Sequence, residues 1–287
     1  MGKNTMTVPQ SKTLVVGSAG DAQLPAVPDF MQEDARMGLQ DVGQFVVPPR
    51  LKIVQKQSRK ELLDIYNMGD VLAMPSQELI ASVLLNEKNK PTDLGSPFHF
   101  VPLYFYVEWA CWNPYEASQL GAIRYRTTNP SDPIVQKAKN SALRASEPCP
   151  EMPTKNLRYV EHLNFLVLLL GEYKIAGSPI ILSFARGSYK NGSDFCALTR
   201  TRKTAAIFGA QYECTTQRVE RDGNDWYVPV VTNPSLESGV SPWVQDQAAY
   251  SKLRELHLEF DELHKAGRVR VDYDDPSDTL PADSGEF

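Results

Sequence analysis

Residues 98–109 read FHFVPLYFYVEW, and this run decides the fold class. Apolar and aromatic side chains alternate along it as they do on a β-strand. One parity, Val101, Leu103, Phe105 and Val107, is expected to form a core face. The other, Phe98, Phe100, Tyr104 and Tyr106, is expected to form an aromatic face. Residues 122–127 alternate again, with Arg124 and Arg126 on one side and Ile123 and Tyr125 on the other. Residues 159–170 contain the longest uninterrupted apolar run, Phe165 to Leu170, and read as a buried strand.

The segments beyond complete a pattern. A turn over 172–178 leads to a strand over 179–185. Lys190-Asn191-Gly192 reads as a turn, with Ser193 capping a helix over 194–204. Two strands, 207–219 and 225–232, are joined at Asp222-Gly223, a strong hairpin signal. Ser241-Pro242 is expected to open a final helix whose stripe is Leu253, Leu256, Phe260 and Leu263, with Gly267 at its end. Upstream, residues 46–54 look extended. Ser58-Arg-Lys-Glu61 has the form of a capping box for a helix over 59–67, and 70–85 fits either strand or helix. Residues 128–158 carry five prolines and read as a long excursion, with a helix near 134–145.

Strand, strand, helix and hairpin in that order predict a mainly β protein. The expected architecture is an OB-fold-like antiparallel barrel with insertions, peripheral helices, a C-terminal amphipathic helix and disordered termini. The expected organisation is a flexible arm over 1–29, an OB-like domain over 30–240, a helix over 241–267 and an acidic tail over 268–287.

Composition narrows the function classes. The 287 residues are 42% hydrophobic and 23% charged, which excludes collagenous, coiled-coil and wholly disordered classes. The longest apolar run falls far short of the ~20 residues of a spanning helix, so no membrane is expected. No secretory signal is visible, and the four cysteines show neither a disulfide framework nor a metal clip. A reduced protein of the host-cell cytoplasm is the expectation.

The net charge of −5 conceals an asymmetry. Six acids and no base lie between Asp272 and Phe287, so the remainder carries 30 bases against 29 acids. The bases form three clusters: Arg50, Lys52 and Lys56 with Arg59 and Lys60; Arg124 and Arg126 with Lys137, Lys139 and Arg144; and Arg186, Lys190, Arg200, Arg202 and Lys203. Rings lie among or beside them, namely Tyr104, Tyr106, Trp109, Tyr125, Phe184 and Tyr189. Cations that track phosphates and rings that stack on bases are what a single strand of nucleic acid requires. A mixed solvated surface over a core of packed rings is the plainer reading of any one cluster.

Catalytic chemistry is hard to find. There is no phosphate-binding lysine loop, no HExxH and no GxSxG, and His257 and His264 flank the apolar stripe without completing a metal site. Glu172-Tyr-Lys174 is the Glu-x-Lys fragment of a metal-dependent nuclease, and such short matches are common by chance. No enzyme activity and no cofactor are expected.

The acidic tail ending at Phe287 resembles that of bacterial and tailed-phage single-stranded DNA-binding proteins. The body is similar to a phage-encoded group of that kind through Pro49-Arg-Leu-Lys-Ile-Val-Gln55, Phe100-Val-Pro-Leu-Tyr104 with Glu108-Trp109, Pro179-Ile-Ile-Leu-Ser-Phe184 and Asn224-Asp-Trp-Tyr-Val-Pro-Val230. The resemblance implies an OB barrel that coats single-stranded DNA during replication or recombination. It also implies that Asp274, Asp275, Asp278, Asp283, Glu286 and Phe287 recruit replication or recombination proteins. Self-association is left open. A virion structural or assembly protein is the alternative, and a metal-dependent nuclease comes third.

Overall fold

The computed structural model describes residues 48–88, 90–114, 122–202, 206–221 and 223–269. The expected arm over 1–29, the first residues of the expected domain over 30–240 and nearly all of the tail lie outside them. The fold is mainly β, with a nearly closed barrel-shaped sheet and a few helices.

Its strands are β1 (Arg50–Ile53), β2 (Val71–Met74), β3 (Glu78–Ala81), β4 (Val83–Leu85), β5 (Pro91–Gly95) and β6 (Phe98–Trp112). Then come β7 (Ile123–Thr127), β8 (Pro148–Cys149), β9 (Met152–Asn156), β10 (Arg158–Leu170), β11 (Ile180–Ala185), β12 (Tyr212–Arg221) and β13 (Asn224–Thr232). The sheet runs β3-β2-β1-β11-β10-β6-β12-β5-β4, with β7 beside β6 and β13 beside β12. Only Ser82 separates β3 from β4, the two ends of this order, so one bent segment closes the sheet on itself. Ser96 N–H donates to Ser82 O at 2.7 Å, and Ser82 N–H to Ser96 Oγ at 3.0 Å, which pins the bend. A second seam joins the end of β1 to β13. There the Gln55 side-chain amide donates to Tyr227 O at 2.7 Å and accepts the Tyr227 N–H at 2.9 Å.

Both faces of the β6–β10 ladder are buried, which corrects the division into a core face and an aromatic face. Tyr104 pairs with Leu166 but Pro102 pairs with Val167, so Leu103 is an extra residue on β6. Such a bulge exchanges the faces of everything beyond it. Phe98 and Phe100 therefore share the barrel interior with Phe105 and Val107. Val101 and Leu103 share the outer face with Tyr104 and Tyr106.

Among the described residues four α-helices accompany the barrel: α1 (Lys60–Leu63), α2 (Pro133–Lys139), α3 (Tyr189–Thr201) and α4 (Gln247–Lys265). α3 stands between β11 and β12, as the sequence predicts, and plugs the interior. Its Phe195 ring lies 4.4 Å from Phe165 and meets Tyr212 edge-on at 5.0 Å. The expected turn at Lys190–Gly192 is instead the first part of this helix. Gly192 is there for clearance: a Cβ would stand 2.5 Å from Phe184 Cβ, so only glycine lets the helix lie this close to β11.

α4 lays Leu253 and Phe260 on the outer face, with Leu256 and Leu263 beside them. It starts at Gln247, capped by Asp246, rather than at Pro242. The Pro242 segment is extended because its carbonyl accepts from Gln211 N–H and Trp243 bridges Ala210. Gly267 ends the helix at φ +68, and Val269 still packs on the outer face. Smaller differences concern termini. Ser58 Oγ accepts from Gln55 N–H at 2.9 Å and leaves the four-residue α1 without a side-chain cap. α2 stops at Lys139, and Ile207–Gly209 is a 3-10 turn ahead of β12.

Candidate nucleic-acid interface

β10 is longer than β11. The two part at the His162–Ala185 pair, while β10 stays paired with β6 as far as Arg158–Trp112. This overhang presents two faces.

On the outer face, side chains alternate as Glu108, Ala110 and Trp112 on β6 beside His162, Val160 and Arg158 on β10, with Arg126 of β7 opposite Ala110. The Trp112 and His162 rings stack at 5.7 Å and 22°. Trp112 Nε1 donates to His162 Nε2 at 3.3 Å, and Ser183 Oγ lies 3.4 Å from Nδ1. Full burial, reinforced by the positive charges of Arg186 and Arg50, drives the His162 pKa down to about 3. The ring is therefore neutral and can accept from the indole. The Arg186 guanidinium lies 5.2 Å over the Trp112 ring, a cation–π contact. Arg186 holds a left-handed φ of +49, a strained conformation for a side-chain-bearing residue.

On the opposite face, Trp109 Nε1 donates to Glu161 Oε2 at 3.0 Å and Tyr189 OH donates to Oε1 at 2.8 Å. Lys139 Nζ lies 5.4 Å over the Trp109 ring. Partial burial and the Glu161 hydrogen bond push the Tyr189 phenol up to about 12.

The structure thus brings Arg126 and Arg186 to the outer face of the overhang, with Arg50 of β1 beside Ile181 acting on His162 through its charge, and Trp109 and Tyr189 to its other side. Lys52 is buried within β1, and Lys56 is exposed on the turn beyond it. The expectation of open rings at 104–109 is corrected. Tyr106 and Trp109 are buried, and Tyr104 packs on Phe260 while its hydroxyl donates to Asp261 at 2.9 Å. Bulge and covering helices account for this, since both faces of β6 carry packed layers. Arg124 is committed to Glu151 through both terminal guanidinium nitrogens, at 2.7 and 2.9 Å. Lys190 pairs with Asp194 at 2.6 Å and stays exposed.

Arg200 and Arg202 lie at the far end of α3, about 18 Å along the helix from Tyr189 at 1.5 Å per residue. Arg202 is a structural tether, donating to Pro242 O at 2.7 Å and to Asn233 Oδ1, with its guanidinium 4.6 Å over Tyr212. Lys203 lies outside the described residues, as do Asp274, Asp275, Asp278, Asp283, Glu286 and Phe287. Sequence reasoning missed Trp112, His162, Arg158 and Glu161. The signal for His162 and Glu161 was present as polar residues within an apolar strand.

Among the described residues no group of three His, Cys, Asp or Glu side chains is arranged to hold a metal ion. The Glu172–Lys174 fragment lies in a turn whose Lys174 and Ile175 N–H groups donate to Glu78. No described helix is long and apolar enough to cross a membrane.

A family model described as Pam3 phage gp34-like protein matches residues 19–264. The chain belongs to that family. The match spans the whole barrel, both faces of the overhang and nearly all of α4, and it places the gp34-like chain in a bacteriophage context. Neither the comparison with curated proteins nor that with solved structures gives a match.

Proposed function

We propose that this gp34-like protein binds single-stranded DNA, without catalysing a reaction on it, during phage replication or recombination in the host cytoplasm. One observation carries the reading. In an OB barrel the face of the second and third strands takes up the oligonucleotide. Here β6, β10, β11, β12 and β13, with α3 before the last two, follow that plan. At this strand end Arg50 and Arg186 set positive charge around the buried His162 and Trp112, and the half-exposed Tyr189 ring stands on the other side of the same overhang. The acidic tail is proposed to recruit partner proteins through Phe287. Deleting 272–287 would shift the net charge from −5 to +1 and strengthen DNA binding at low salt.

A virion structural or assembly role is the second reading. It is favoured by the exposed Leu84, Leu85 and Leu94 of the β4–β5 hairpin and by the pairing of Arg124. A gel shift with an unstructured oligonucleotide at low salt separates the two. A discrete retarded complex with the single strand supports the first reading. No shift, together with large assemblies in sedimentation, supports the second.

A further inference from the structure

Building on the single-stranded DNA reading, we infer that Tyr189 is the ring on which one unpaired base stacks, with Lys139, Arg144 and Lys190 holding the adjoining phosphates and Glu161 positioning the ring. Tyr189 is 37% exposed, whereas Trp109 beside it is 6% exposed and Trp112, on the outer face, 3%. A base can therefore reach Tyr189 and not the two indoles. The Tyr189 hydroxyl is tied to Glu161 Oε1, while Oε2 is occupied by Trp109 Nε1. A ring already held by its hydroxyl loses little conformational freedom when a base lands on it.

Cations surround this platform. Lys139 is exposed and lies over Trp109, and Lys190 follows Tyr189 in the chain with its side chain 84% exposed. Arg144 is held in place by its Nε–H bond to Ala138 O at 2.7 Å and acts electrostatically on the Tyr189 phenol. The Glu161 carboxylate repels phosphate from the hydroxyl end of the ring. The strand is thus oriented with its base toward Tyr189 and its backbone toward the cations.

The test uses the full chain and a thymidine oligonucleotide containing 5-iodouracil. Irradiation followed by peptide mapping should place the crosslink on Tyr189. Tyr189→Ala should weaken affinity roughly 5- to 150-fold, the equivalent of the ~1–3 kcal/mol of one stacked base. Tyr189→Phe, which keeps the ring and frees it from Glu161, should lose less. Tyr250→Ala removes an equally exposed ring on α4 and should leave affinity unchanged. Should Tyr189→Ala fail to fold, Tyr189→Phe and the crosslink position decide. Wild-type binding with crosslinks only elsewhere, or undiminished binding by Tyr189→Ala, overturns this inference and leaves the broader reading standing. Absence of any binding by the wild type overturns both.

Discussion

The side-chain amide of Gln55 pairs with the backbone of Tyr227 as a strand residue would, donating to its carbonyl and accepting its N–H. The two residues are 172 positions apart, and Tyr227 is buried. One side chain thus replaces a ladder step at the seam between β1 and β13. Gln55→Leu has similar volume and leaves both backbone groups unpaired. It should cost about 2–6 kcal/mol, from ~1–3 kcal/mol for each of the two buried groups left unsatisfied. Urea denaturation of both proteins measures this, and an unchanged midpoint would show that the seam closes without Gln55.

Gly192→Ala should destabilise although alanine is the better helix former by about 1 kcal/mol. The new Cβ would meet Phe184 at 2.5 Å and Leu163 Cδ1 at 3.1 Å. Overpacking of ~1–3 kcal/mol then outweighs the gain in propensity. The melting temperature should fall, and a rise would mean that α3 is free to shift away from the barrel.

On α4, Leu253 is fully buried while Leu258 is 48% exposed. Leu253→Ala should cost ~2–5 kcal/mol, and Leu258→Ala no more than ~0.5 kcal/mol. Calorimetry of the two variants gives the contrast, and equal losses would contradict the assignment of the buried stripe.

Stability should fall with acidification because of His162. Its folded pKa of about 3 lies below the ordinary 6.5, so between these values the unfolded chain holds a proton that the folded chain does not. The contribution is fully present above about pH 6.5 and is lost progressively down to about pH 3. By pH 5 the loss amounts to about 2 kcal/mol. His162→Gln keeps an acceptor for Trp112 and should reduce the slope between pH 6.5 and 5 by about one proton. A variant with the wild-type slope would place the acid sensitivity elsewhere.

What could be read in the sequence follows from where the deciding interactions are made. β10, β11, the hairpin and the α4 stripe announce themselves through local periodicity and Gly223 at φ +77. The face exchange on β6 could not be read, because the bulge at Leu103 is set by pairing with β10 and leaves no mark on the alternation of β6 itself. Gly192 looked like a turn residue because its reason lies in Phe184, on another element. Pro242 resembled a helix start, but pairing with Gln211 holds its segment extended. The basic clusters are partly engaged within the fold. Arg124 and Arg202 have partners remote in sequence, Glu151 and Pro242, that only the fold brings to them.

The central claim is most directly tested by fluorescence anisotropy of a labelled thymidine oligonucleotide, titrated with the full-length protein at several salt concentrations beside a duplex of equal length. The single strand should bind more tightly than the duplex. Log affinity should fall linearly with log salt, by about 0.7 for each phosphate neutralised, so that three or four cations give a slope near −2 to −3. Binding that is indifferent to salt, or as tight for the duplex, would contradict the single-stranded DNA reading.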